Sequence, residues 1–84
     1  MTALFDRDGL VTRWPRKARE RDEVLDYLAS KFESGRIYKE TEVTGVLADW
    51  HSFGDHALLR RELFESKRLG RDPRSGTYWL IENG

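Results

Sequence analysis

The C-terminal part of the sequence contains a β-hairpin pattern that limits how the rest of the chain can pack. The β-branched and aromatic residues of 77–81 follow the turn sequence Pro73-Arg74-Ser75-Gly76, and residues 69–72 precede it. Proline and glycine in one short segment are typical of a tight turn between two strands. A hairpin of two strands is not stable alone, so its apolar side must be covered by the preceding residues.

Those preceding residues show three stretches with the spacing of an amphipathic helix. The spacing predicts helices over residues 16–32, 40–50 and 56–67. Their apolar stripes are Val24, Leu25, Leu28, Ala29 and Phe32, then Val43, Val46, Leu47 and Trp50, and finally Leu59 and Leu63. Each helix therefore has one face to bury, and the hairpin supplies a sheet on which to bury it.

The residues between these helices fit the same interpretation. Pro15 is tolerated in the first turn of a helix, Gly35 suits the left-handed residue after a helix, and Asp55 suits an N-cap. Residues 36–38 are too few for an independent strand and are expected to pair with the hairpin. Gly45 lies inside the second helix, where it lowers helix propensity, and we expect it to permit close helix packing.

The order of these elements predicts an α+β fold of the winged helix-turn-helix type. Residues 1–14 form an N-terminal arm or hairpin around the turn sequence 6–9, and residues 15–84 form the winged-helix domain. In that domain the second and third helices are the helix-turn-helix, and the hairpin is the wing. The predicted core consists of Val24, Leu25, Leu28, Phe32, Val43, Val46, Leu47, Trp50, Leu59, Leu63, Leu69, Tyr78 and Leu80.

Length and composition exclude several classes of protein. With 84 residues the chain has room for one domain, and without cysteine it has no disulfide or thiolate metal site. No apolar run approaches the roughly 20 residues of a membrane span, and the N-terminus lacks the pattern of a signal peptide. We therefore expect a cytoplasmic protein. Fifteen basic and fifteen acidic residues cancel, so any anionic partner must be bound by local charge.

A set of short segments also carries a family resemblance. The segments are Arg13-Trp14-Pro15-Arg16-Lys17, Val24-Leu25-Asp26-Tyr27-Leu28, Tyr38 with Glu42-Val43, His51, Leu59-Arg60-Arg61-Glu62-Leu63 and Gly76-Thr77-Tyr78-Trp79. Together they resemble, over residues 10–81, a bacterial domain of unknown function that occurs alone or fused C-terminally to ArsR-type transcriptional regulators. The resemblance implies a winged-helix-like domain close to bacterial transcription control.

Two basic clusters are candidates for contacts with duplex DNA. One lies on the wing and the other around the start of the first helix, where cations oppose the helix dipole and do not favour folding. We expect DNA contacts from Arg61, Arg68, Arg71 and Arg74, with auxiliary contacts from Arg16, Lys17 and Arg19. These arginines and lysines would mainly bind phosphates, so the predicted function is a DNA-associated transcriptional regulatory module.

A protein-interaction or dimerisation module without DNA binding is the alternative interpretation. The third helix exposes Leu58, Arg61 and Glu65, and a glutamate there disfavours contact with phosphates. The same three residues could dock a protein partner or a second copy. The neutral net charge is compatible with this alternative.

Catalysis and cofactor binding find no support in the sequence. A glycine-rich phosphate loop, a Gly-x-Ser-x-Gly elbow and an evident pair of carboxylates are all missing, so we expect no enzyme and no cofactor. His51 and His56 stand near Asp55, but they lack further ligands at the spacing of a metal site. We therefore expect no metal and no small-molecule substrate.

Overall fold

The computed structural model describes residues 4–82, and these residues form three helices and one antiparallel sheet of three strands. The elements are α1 (Ala18–Ala29), β1 (Ile37–Lys39), α2 (Glu40–Trp50), α3 (His56–Glu65), β2 (Leu69–Asp72) and β3 (Thr77–Leu80). This is an α+β fold with the predicted winged-helix-like arrangement. α2 and α3 form the helix-turn-helix, and the hairpin of β2 and β3 is the wing.

β3 is the central strand of the sheet. The strand order is β1-β3-β2, so the short strand predicted after α1 does pair with the hairpin. In the register Tyr38 is opposite Tyr78, which in turn is opposite Arg71. Both tyrosines are buried, so this row of the sheet faces the helices. Side chains of the neighbouring rows point to the other face, because side chains alternate along a strand.

α1 is shorter than predicted at both ends. The helix ends at Ala29 because the backbone tightens there: the N–H of Lys31 donates to the carbonyl of Leu28, and the N–H of Phe32 donates to the carbonyl of Ala29. These are i to i−3 bonds, which end the regular α-helical ladder. Phe32 nevertheless stays buried, 5% exposed, so the apolar stripe continues three residues beyond the observed end of α1.

α3 ends at Glu65 in a Schellman motif. The N–H of Arg68 donates to the carbonyl of Leu63 at 2.9 Å, and the N–H of Lys67 donates to that of Phe64 at 3.0 Å. Lys67 has a φ of 64°, which is the left-handed conformation that this motif requires. The predicted end at Lys67 is therefore two residues too late, since no glycine stands there to mark the true end. At the other end Asp55 accepts from the N–H of Leu58, as an N-cap does.

The N-terminal arm, here residues 4–14, packs against α1 and α2. Its turn closes through the N–H of Asp6, which donates to the carbonyl of Leu10. Val11 then forms an antiparallel bridge with Phe5 and a parallel bridge with His51, just after α2. Val11 is completely buried. The arm therefore contributes to the core of the described chain, which the sequence did not predict.

The core lies between the helices and the inner face of the sheet. All the predicted core residues are buried except Val46, Trp50 and Leu80, which are partly buried and pack against it. Val11 and Tyr38 belong to the core and were not predicted.

The expectation for Gly45 is wrong: it is exposed, and no heavy atom lies within 4 Å of where a Cβ would stand. None of the helices in the described residues is long and apolar enough to cross a membrane.

Candidate functional site

An open groove of about 530 Å³ lies between α3 and the wing. We call it the helix–wing groove. It is lined by Glu40, Asp55, Ala57, Leu58, Arg60, Arg61, Phe64, Arg71 and Tyr78. α3 supplies one wall, the wing supplies Arg71 and Tyr78, and Glu40 from the start of α2 lies at the edge. The groove thus lies on the helix-facing side of the sheet, where Tyr78 and Arg71 share a row.

The α3 wall of the groove contains two arginines in different situations. Arg60 is held by α2: its Nη2 lies 3.1 Å from Glu40 Oε1, and its Nη1 donates to Thr44 Oγ1 at 3.1 Å. Arg61 is mostly exposed, and its Nε lies 3.6 Å from Glu65 Oε1 one turn along the same helix. Exposed pairs of this kind contribute little energy, so Arg61 can exchange Glu65 for another anion.

The wing contributes two arginines that have no carboxylate partner within residues 4–82. The guanidinium carbon of Arg71 lies 5.9 Å from the ring centroid of Tyr78, on the wall opposite α3. Arg74 is exposed in the turn at the wing tip, where its backbone N–H donates to Asp72 Oδ1 at 2.9 Å. Arg71 therefore faces the groove, and Arg74 extends the basic surface to the tip.

Arg68 does not join this group, although the sequence suggested a cluster of all three wing arginines. Its Nε donates to Asp26 Oδ1 at 2.7 Å, and its Nη2 lies 3.6 Å from Asp22 Oδ1. Its side chain is only 19% exposed. Arg68 joins the beginning of the wing to α1, and its charge is already compensated there.

The second basic cluster remains at the surface. Arg16, Lys17 and Arg19 are exposed at the start of α1, and they form no ion pair with any residue from 4 to 82. They are not among the residues that line the helix–wing groove. Nearby Arg21 has a structural role, since its Nε donates to the carbonyl of Pro15 at 2.7 Å and its guanidinium lies over Trp14.

The two histidines are placed differently. His51 is buried, with its Nδ1 against the carbonyl of Leu47 and its ring edge-on to Phe53. His56 is exposed at the start of α3. Within residues 4–82 no three histidine, aspartate or glutamate side chains stand close enough together to hold a metal ion.

One perturbed carboxyl lies outside the groove, at the start of α2. The pKa of Glu42 is lowered because the backbone N–H of Lys39 donates to its carboxylate at 2.9 Å. The Arg36 guanidinium, whose Nη2 lies 3.0 Å from Glu42 Oε2, lowers this pKa further. These contacts order the junction of β1 and α2.

Several lining residues of the groove were not predicted as site residues. Phe64 is the clearest, because it is 43% exposed and lines the groove. The positions 61, 64 and 65 follow i, i+3 and i+4 spacing, so they share one side of α3. That spacing could have identified Phe64. Glu40 and Tyr78 come from distant parts of the sequence, and no local pattern places them beside α3.

Comparison with known proteins identifies a family but no characterised relative. No curated protein and no solved structure matches the chain. A model of the family described as an uncharacterized protein conserved in bacteria (DUF2087) matches residues 10–80. That match confirms the resemblance seen in the sequence, although it does not show a fusion to ArsR-type regulators. The chain belongs to this bacterial family.

Proposed function

We propose that this domain is a DNA-associated regulatory module of the bacterial cytoplasm, without catalytic activity. The observation that carries the proposal is that Arg61 and Arg71 lie on opposite walls of the helix–wing groove. Both guanidinium groups can turn to an anion that enters between them. Arg74 continues the same basic surface at the wing tip.

In the proposed complex a sugar–phosphate strand would occupy the groove. In a helix-turn-helix the second helix lies in the major groove, while the first helix crosses the backbone. A backbone strand would then pass between α3 and the wing, within reach of Arg61 on one side and Arg71 on the other. Arginine suits this role because its planar guanidinium binds phosphate through two hydrogen bonds.

The two carboxylates that line the groove are engaged by the chain itself. Glu40 is bound by Arg60, and Asp55 accepts the N–H of Leu58 at the start of α3. The groove therefore has a local excess of basic groups although the chain is neutral. Arg16, Lys17 and Arg19 are proposed auxiliary contacts, because cations at the start of a helix oppose its dipole and gain most from an external anion.

A DNA titration at several salt concentrations tests this proposal. Binding of mixed-sequence duplex should weaken steeply between about 50 and 200 mM salt, because released counterions drive it. Arg71→Ala and Arg61→Ala should each reduce the slope of log K against log salt by about 1.

Arg7→Ala is the matched control, since it removes one exposed charge from the arm. The arm contacts the C-terminal end of α2, whereas the groove lies at its N-terminal end. An absence of binding at low salt would overturn the proposal. Equal losses in Arg71→Ala and Arg7→Ala would also overturn it, because they would place the contact outside the groove.

A protein partner in the same groove is the second candidate, and the exposure of Phe64 favours it. An exposed aromatic ring beside an arginine is a common centre of protein interfaces. Phe64 lines the same groove as Leu58 and Arg61, two of the residues expected to dock a partner, and it precedes the third, Glu65. Leu58, expected to be exposed, is only partly exposed. Phe64→Ser would weaken such an interface strongly, while it would alter a purely phosphate-based DNA contact little. The two candidates are thus separated by one substitution.

A further inference from the structure

The face of the sheet that points away from the helices carries an uncovered apolar surface. We call it the outer face. Ile37, Trp79 and Gly70 form one row across its three strands. Ile37 is 59% exposed, the largest exposure among the large apolar side chains described. Ile37 and the partly exposed Trp79 form a small apolar patch, and covering this patch with a second surface would be favourable.

The indole ring of Trp79 forms the flat part of this row. A Cβ at Gly70 would overlap the indole ring of Trp79, so the indole lies directly over the backbone of β2. Gly70 is itself buried, although it faces outward, because the indole covers it. The result is a platform across β3 and β2, with the side chain of Ile37 standing beside it on β1.

The next row of the outer face carries opposite charges at its two edges. Lys39 on β1, Thr77 on β3 and Asp72 on β2 are opposite one another in the register. Within residues 4–82 neither Lys39 nor Asp72 has an ion-pair partner within 4 Å, although Lys39 is among the charges that lower the pKa of Glu42. The outer face thus has a positive edge and a negative edge separated by one strand.

We propose that the outer face binds the outer face of a second copy, with a twofold axis parallel to β3. Such an axis places β3 over its counterpart and β1 over β2 of the partner, while each row faces the same row. Lys39 then meets Asp72 of the other copy, and this happens twice. Ile37 meets the platform that Trp79 forms over Gly70.

This arrangement is self-complementary in both shape and charge. A twofold axis perpendicular to the strands would place each edge strand over itself, so Lys39 would face its own strand and gain no opposite charge. The helix–wing groove lies on the other side of the sheet and stays open in the dimer. Two copies would therefore present two grooves, which goes beyond the single-domain function proposed above.

The contact area of three short strands is small, so the association should be weak. Interfaces of this size lie at the low end of specific complexes, and the measurement needs high protein concentration. Sedimentation of the full chain from about 10 µM to about 1 mM should show a monomer–dimer equilibrium. Ile37→Glu should weaken it by about tenfold or more, because it places a charge on the apolar row. Phe64→Ser is the matched control, since it removes the other large exposed apolar side chain from a different surface.

Reversing the charges at positions 39 and 72 tests the direction of the twofold axis. Lys39→Asp should weaken self-association, because it sets two aspartates against each other, and Asp72→Lys should do the same with two lysines. A mixture of these two variants should form a heterodimer, since every facing pair is then complementary. Asp72→Asn removes the charge but keeps an oxygen that accepts from the N–H of Arg74. This variant should also associate more weakly, and the loss would then come from the charge and not from a disordered turn.

Three outcomes would overturn the proposal. One is a chain that stays monomeric at every concentration. Another is a dimer that Phe64→Ser disrupts and Ile37→Glu does not, which would move the interface to the groove. The last is a mixture of the Lys39→Asp and Asp72→Lys variants that associates no better than either variant alone. The proposed axis requires the mixture to recover the association that each variant has lost.

Discussion

Arg68 and Asp26 are joined by a hydrogen bond of 2.7 Å from Nε to Oδ1, although they are 42 residues apart in the sequence. The same guanidinium also lies 3.6 Å from Asp22 Oδ1. One arginine at the beginning of the wing therefore holds two carboxylates on one side of α1. This pairing separates Arg68 from Arg71 and Arg74, which have no such partners within residues 4–82.

We expect Arg68→Ala to destabilise the fold by about 1 kcal/mol, because a partly buried arginine loses a small charge network. A loss of that size lowers the melting temperature of a domain this small by roughly 4–8 °C. Asp26→Ala should cause a similar loss, since it removes the other half of the closest pair. DNA affinity should change less than in Arg71→Ala. A variant with unchanged stability and strongly weakened DNA binding would show that Arg68 contacts DNA instead.

The sequence predicts this fold well where local patterns decide the structure. The bounds of α2 agree with the prediction because its stripe of Val43, Val46, Leu47 and Trp50 fills one helical face. The wing is predicted because its turn residues are specific for a hairpin. The predicted ends of α1 and α3 are less accurate. The observed ends depend on backbone hydrogen bonds to the carbonyls of Ala29 and Leu63, which no residue type in the sequence indicates.

The candidate site is predicted only in part, because it depends on contacts between distant segments. Arg61 and Arg71 do line the same groove, but the carboxylates that compensate Arg68 and Arg60 lie on α1 and α2. The charge of an arginine is visible in the sequence, whereas its partner is not. Only the structure therefore distinguishes the arginines that have a structural role from those available to a ligand.

Lys67→Gly should stabilise the protein by about 0.5–1 kcal/mol. Lys67 has a φ of 64° at the end of α3, a conformation that is strained for residues with a Cβ and relaxed for glycine. The gain is smaller than the full strain because glycine is also more flexible in the unfolded chain. Chemical denaturation of the variant and the wild type measures this difference. If the glycine variant is less stable, the Schellman motif does not persist in solution.

Gly45→Ala and Gly70→Ala should have opposite effects. At Gly45 a Cβ meets open space inside α2, so alanine should gain up to about 1 kcal/mol from its helix propensity. At Gly70 a Cβ would overlap the indole of Trp79, so alanine must displace that ring and destabilise the sheet. Melting curves of the two variants, measured together, control for each other. Destabilisation by Gly45→Ala would mean that another surface packs against this part of α2.

Val11→Ala should destabilise the whole domain by about 2 kcal/mol, because it removes two methyl groups from a completely buried position. Two backbone hydrogen bonds join Val11 to the end of α2: the N–H of Val11 donates to the carbonyl of Trp50, and the N–H of Ser52 donates to the carbonyl of Val11. Arg7→Ala, in the exposed turn of the arm, should leave stability unchanged. Equal stability of Val11→Ala and the wild type would show that the arm folds separately from the core.

The contribution of Glu42 to stability should depend on pH in the acidic range. Its pKa is lowered from the usual value of 4.5 in the folded protein by the N–H of Lys39 and by Arg36. A carboxyl with a lowered pKa binds fewer protons in the folded chain than in the unfolded chain, so its ionised form stabilises the fold. That contribution is fully present above about pH 4.5 and is lost as the pH falls through the lower, folded pKa. The difference in unfolding free energy between wild type and Glu42→Gln should therefore shrink as the pH is lowered. A difference that stays constant down to the acid limit would mean that Glu42 acts only through packing or through its neutral hydrogen bonds.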